Sequence, residues 1–118
     1  MMIEQELMIE INTLTTNTVY FSRAVELQKK DYCVLSKISA PRNYTLTGHN
    51  GLVTARFQLD VYASDYITAK TEAKKLYLLT DYTSLTVANI ILANELDLYD
   101  NDTKLYRTVL DYIVNYYE

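Results

Sequence analysis

The sequence predicts an α+β fold: a mostly antiparallel β-sheet of four to five strands with two α-helices packed on one face. Three observations carry that expectation. Residues 52–62 alternate apolar and polar side chains without an error, which is the period of a half-buried strand. Residues 2–12 and the run after Asp65 repeat apolar side chains at helical spacing instead. Two more alternating stretches near the end of the chain, separated by a polar turn, read as a hairpin, so the order is helix, strands, helix, strands. A chain of 118 residues suits one domain, residues 1–118. A domain of that size buries roughly two-thirds of its unfolded surface and needs no covalent staple.

The first helix carries Ile3, Leu7, Met8 and Ile11 on one face, with glutamates between them, and the threonine-rich residues 13–18 end it. Val19, Tyr20 and Phe21 form a short strand before the charged stretch 26–31. Residues 32–39 read as the next strand, and Pro41 stops it because proline cannot donate to a central ladder. The only proline, the only histidine (His49) and both glycines (Gly48 and Gly51) fall within residues 41–51, so the positive-φ positions are expected there. Asn50–Gly51 is the strongest short hairpin signal, and the turn is expected on it. Beyond that turn Val53, Ala55, Phe57, Leu59 and Val61 point to one face, and Thr54, Arg56, Gln58 and Asp60 to the other.

Ser64 and Asp65 supply a helix N-cap, and the second helix is expected to run to about Leu79. Tyr66, Ala69, Ala73, Leu76 and Tyr77 lie on one face, the alanines allowing close packing on a sheet. Lys70, Thr71, Lys74 and Lys75 are expected outward, where the later lysines complement the helix dipole. Residues 85–99 form a long strand with Ala88, Ile90, Leu92, Leu96 and Leu98 on one face and Asn94 interrupting. After a polar turn at 100–103, residues 105–117 return with Tyr106, Leu110, Tyr112, Val114 and Tyr116 on one face and Arg107, Asp111 and Asn115 on the other.

Composition narrows the function. With 11 basic and 15 acidic residues the net charge is −4, which gives no electrostatic reason to bind nucleic acid. The one cysteine, Cys33, excludes an internal disulfide, fits a reducing cytoplasm, and sits in an apolar run as a small core residue. No apolar stretch reaches the roughly 18 residues of a membrane span, and no basic start marks a signal peptide. Twelve tyrosines stand against two phenylalanines and no tryptophan. Tyrosine suits strands, and it equally suits half-buried faces and protein interfaces.

Catalytic and metal chemistry finds no footing in the residues. His49 has no second histidine and no cysteine near it in sequence, so a transition-metal site would lack ligands, and a solvated turn histidine is the expectation. Asp97, Asp100 and Asp102 imitate the spaced acids of a calcium loop, but counting from Asp97 puts Asp102 at the sixth position and Thr108 at the twelfth. A hand-type loop requires glycine and glutamate there. There is no Gly-x-Ser-x-Gly elbow, no phosphate-cradling glycine loop and no His-Glu-x-x-His. The expectation is a protein that is not an enzyme, with no catalytic residue, cofactor or metal.

Two blocks then resemble a known family. The first runs Ile38-Ser39, Arg42-Asn-Tyr-Thr-Leu-Thr-Gly48 and Gly51-Leu-Val-Thr-Ala-Arg56-Phe-Gln-Leu-Asp60-Val-Tyr-Ala63, followed at once by a helix. The second is the closing hairpin, Glu95-Leu-Asp-Leu-Tyr99-Asp100 with Leu105-Tyr-Arg107 and Leu110-Asp111-Tyr112. In joint order and spacing they resemble the tail-completion proteins of long-tailed bacteriophages. The resemblance departs in the N-terminal third, where Gln28-Lys-Lys-Asp31 replaces the usual small-residue loop.

That resemblance implies a structural virion protein, assembled in the host cytoplasm, that completes the head-proximal end of the tail tube as a six-fold ring. It implies as partners further copies of itself (a monomer in dilute solution being compatible), the tail tube protein and the head connector or stopper protein. DNA passes through such a ring without specific binding, and Asp97, Asp100, Asp102 and Asp111 are the acids offered for its lumen. The two hairpin tips are the expected contacts, through Tyr44, Leu46, His49 and Asn50 on one and Tyr99, Asp100, Asp102 and Lys104 on the other. Rival readings are another head–tail connector component, a stopper or adaptor, and a small cellular α+β protein-binding module whose sheet edge captures a peptide.

Overall fold

The computed structural model describes residues 2–15, 17–21, 31–39, 42–45, 48–101 and 104–117, with the backbone path alone at 42–45 and 48–51. The chain runs α1 (Ile3–Leu14), β1 (Thr18–Phe21), β2 (Tyr32–Ser39), β3 (Arg42–Thr45), β4 (Gly48–Ala63), α2 (Tyr66–Leu76), a 3₁₀ turn (Tyr77–Asp81), β5 (Val87–Asp100) and β6 (Leu105–Tyr117). The strands form one sheet in the order β1-β2-β4-β6-β5, and β3 hangs on β4 as a sixth, short strand. All neighbours are antiparallel except β1 and β2. The fold is the expected α+β arrangement, with a parallel edge pair added.

One face of the sheet carries the core. The alternation of residues 52–62 is realised in full: Val53, Ala55, Phe57, Leu59 and Val61 are all buried. Leu110, Tyr112, Val114 and Tyr116 of β6 and Cys33 and Leu35 of β2 join them. The helices cover this face through Ile3, Leu7 and Ile11 of α1 and Ala69, Ala73 and Leu76 of α2. Asp65 caps α2 by accepting from the Thr68 backbone N–H at 2.9 Å. The two alanines are fully buried, which is what lets the helix axis approach the sheet closely.

Three expectations are corrected. The reversal between β3 and β4 falls between Thr45 and Gly48, which face each other, and Asn50–Gly51 lies inside β4. Tyr44 pairs with His49 and Arg42 with Val53, so Asn43 faces the three residues 50–52. The Asn-Gly signal is spent on this bulge: the long pairing of β4 with β6 sets the register, and glycine in a strand commonly marks such a place. His49 is accordingly a strand residue, one position past the Thr45–Gly48 pair that closes the tip.

The second correction concerns β5. Leu92 faces Tyr112 and Asn94 faces Asp111, which leaves Ala93 as an extra residue. One extra residue reverses which side chains face the core. Ile90 is buried and Leu92 packs on the core, whereas Leu96 and Leu98 turn to the open face and Glu95 and Asp97 to the helix face. Lys70, expected outward, reaches them: its ammonium pairs with Glu95 and lies 3.3 Å from Asp97. The third is positive φ at a residue other than glycine: Lys104, φ 60°, closes the β5–β6 turn. Its N–H donates to the Asp100 carbonyl at 2.8 Å.

Candidate functional site

The ladder fixes where the two hairpin tips lie. Leu52 of β4 faces Tyr117 of β6, and Ala63 faces Tyr106. The β3–β4 tip therefore lies beyond the end of β6, and the β5–β6 tip beyond the end of β4. They occupy opposite ends of a molecule 51 Å long and about 25 Å across. Tyr44 and His49 face each other at one end, with Asn50 following in the bulge. Tyr99, Asp100 and Lys104 gather at the other. Leu46 and Asp102 lie outside the described residues.

The β5–β6 end is built on aromatic rings. Tyr99 packs edge-on against Tyr106 at 4.9 Å, and Tyr106 meets Tyr66 of α2 in the same manner at 6.1 Å. Tyr66 donates to Asp97 at 3.3 Å, and Thr108 donates to the same carboxylate at 3.2 Å. Tyr77 donates to Glu95. Burial alone would raise the Glu95 carboxyl, but hydrogen bonds from Lys70 and Tyr77 outweigh it and hold the pKa below the ordinary value. The same Glu95 bond raises the Lys70 ammonium above its usual range. The cluster pins α2 to β5.

Among the described residues no helix packs on the opposite face of the sheet. Near its β1 side Tyr32 stacks on Tyr62 at 4.6 Å, Tyr20 meets Tyr32 edge-on at 6.0 Å, and the Arg107 guanidinium lies 5.8 Å from the Tyr62 ring centre. Arg107 also pairs with the buried Asp60 at 3.0 Å, and Gln58 donates to Asp60 at 2.9 Å. Burial nevertheless pushes the Asp60 carboxyl up. Alternate residues of β2, β4 and β6 build this cluster, so the period-2 pattern already held the signal. A shallow depression beside it is lined by Ile38, Arg56, Gln58, Asn94, Leu96 and Asp111.

Two of the acids offered for a lumen lie on opposite faces of the sheet. Asp97 faces the helices beside Lys70, whereas Asp111 faces the open side, paired with Arg56. Among the described residues no three histidine, cysteine or carboxylate side chains converge on one point. Cys33 is fully buried, and desolvation, helped by Glu72, pushes its thiol up to about 12. A thiol so placed is a core side chain. No described helix is long and apolar enough to cross a membrane.

Comparison with known proteins follows the same lines. The family model described as Tail completion protein gp17 matches residues 9–117. Among solved structures the chain is similar to one in the "Virion of native gene transfer agent (GTA) particle", with a TM-score of 0.68 and 14% identity over 92% of this chain and 84% of that one. At that identity the likeness is one of fold. No curated protein matches in sequence.

Proposed function

This chain belongs to the tail completion protein gp17 family, and from that premise we propose that it closes the head-proximal end of a phage tail tube as a six-fold ring and forms the joint with the head. A structural role in tail completion is the family's. The ring, its position and its partners are our reading, and the match over residues 9–117 is the observation that carries it. In this reading the role is non-catalytic: Lys70 with Glu95, and Glu72 with Thr15, tie the helices to the rest of the fold. One sheet with one main core supports treating residues 1–118 as a single domain.

Dimensions agree with a ring. Six units about 25 Å wide set around a circle leave a central opening on the order of 23 Å, close to the width of a duplex. The net charge of −4 keeps DNA from adhering to the wall. The tail tube protein and the head connector are the partners, and the two tips, at opposite ends, meet one each. Tyr44, Leu46, His49 and Asn50 serve one contact, and Tyr99, Asp100, Asp102 and Lys104 the other.

Electron microscopy of particles assembled without this protein tests the reading. The expected outcome is full heads beside unjoined tails of abnormal length; normally joined particles overturn it. Replacing Tyr44 and Leu46 with Asp tests the tip contact, and normal joining by that variant would remove it.

A further inference from the structure

The ladder carries information about how copies could join. Among the described residues β1 and β5 are the outer strands of the five-strand path, and the pairings bring them level. Tyr20 faces Val34, Val34 faces Asp60, Asp60 faces Val109, and Val109 faces Leu96. The same walk takes Val19 to Asp97 through Cys33, Val61 and Thr108, and Phe21 to Glu95 through Leu35, Leu59 and Leu110. Because β1 runs with β2 while every other neighbour alternates, β1 and β5 point in opposite directions.

We propose that β1 of one copy pairs antiparallel with β5 of the next, Tyr20 beside Leu96, so that the sheet continues from subunit to subunit. The inference rests on the ring reading and names its interface. A head-to-tail contact closes into a ring only when it involves no displacement along the axis; otherwise it generates a helix. With the strands running along the ring axis, level edges meet that condition, and their opposite directions give the antiparallel ladder. The faces agree as well. Tyr20 and Leu96 share the open face, while Val19, Phe21, Glu95 and Asp97 share the helix face. A slip of one residue would break this agreement.

The side chains at this edge fit a covered state. Leu96 and Leu98 are 50% and 42% exposed, and Phe21 on the other edge is 39% exposed. Past the Ala93 bulge, β5 holds an unbroken register from Asn94 to Asp100 with no proline, and its two inward-facing acids, Glu95 and Asp97, are already paired with Lys70.

The test is the full chain carrying Tyr20→Cys with Leu96→Cys, assembled into particles and mildly oxidised. Directly paired strand positions are close enough for a disulfide. The expected result is a ladder of cross-linked species reaching six subunits, collapsed by reductant. Tyr20→Cys with Ile91→Cys, displaced by roughly 15 Å along β5, yields no ladder. A charge pair guards against a misfolded cysteine variant. Tyr20→Lys with Leu96→Lys removes rings from tails, and Tyr20→Lys with Leu96→Glu restores them. Equal ring occupancy in these two variants overturns the pairing. Rings visible on tails without a ladder overturn it too, leaving the ring reading intact. Tails that finish and join heads with no copy of this protein at their ends overturn the ring reading, and the pairing with it.

Discussion

At Tyr112 a single hydroxyl joins the two layers. The side chain is fully buried, and its OH donates to the Leu76 carbonyl at 2.6 Å, where α2 passes into the 3₁₀ turn. Burial raises this phenol well above its ordinary pKa, so it stays a donor at all working pH values. Tyr112→Phe removes this bond between the layers and should cost about 0.5–1.5 kcal/mol in a urea melt. Glu95 makes the acid side of the stability curve testable. Its folded pKa lies below the ordinary 4.5, so its contribution is present above that value and is lost as pH falls through the folded pKa. Glu72, where hydrogen bonds from Lys75 and Thr15 outweigh burial, acts in the same direction; Asp60, raised by burial, acts against both. Glu95→Gln should be less stable than wild type at pH 6 and show a shallower loss below pH 4.5, read from unfolding midpoints across pH. Lys104 holds a left-handed conformation that costs a side-chain-bearing residue about 1–2 kcal/mol. Part of that is recovered in Lys104→Gly, which should raise stability by about 0.5–1 kcal/mol.

The elements are held by a few specific packings. α2 lies close to the sheet because Ala69 and Ala73 present almost no side chain, and Ala73→Leu should destabilise by about 1–3 kcal/mol through overpacking. A thermal melt reads the effect. The end of α1 is tied to α2 where Thr15 donates to the buried Glu72 at 2.6 Å, with Lys75 completing the pair at 2.7 Å. In β5, the Ala93 bulge is the decisive irregularity. It moves Glu95 and Asp97 under α2, where Lys70 and Tyr77 meet them, and it leaves Leu96 and Leu98 on the open face beside the sheet edge. A charged residue that looks solvated on a helical wheel is thereby part of the helix–sheet contact.

The whole molecule is a long sheet with its two hairpin tips at opposite ends, and the proposed function assigns each tip its own assembly step. If each tip meets a different partner, substitutions at the two ends give different failures. Tyr44→Asp with Leu46→Asp and, separately, Tyr99→Asp should both block joining. One variant should leave tails without the protein, and the other should leave tails that carry it but do not hold heads. Immunolabelling of purified tails distinguishes them, and identical defects would contradict the division of labour.

Periodicity and local chemistry by themselves determined the α+β class, the buried face of β4, the capped start of α2 and the small-residue approach of that helix. Each depends on neighbours within a turn or two of the chain. Tertiary structure decided the rest. The Asn50–Gly51 signal yielded to the register of β4 on β6, because a twelve-residue ladder outweighs one turn preference. The faces of Leu96 and Leu98 depended on an extra residue, and the interruption at Asn94 beside it does not by itself tell a bulge from a polar side chain within the same face. The candidate contacts were legible as residues, but their separation to opposite ends, and the level alignment of β1 with β5, follow from pairings between segments far apart in sequence. Only the assembled ladder could reveal them.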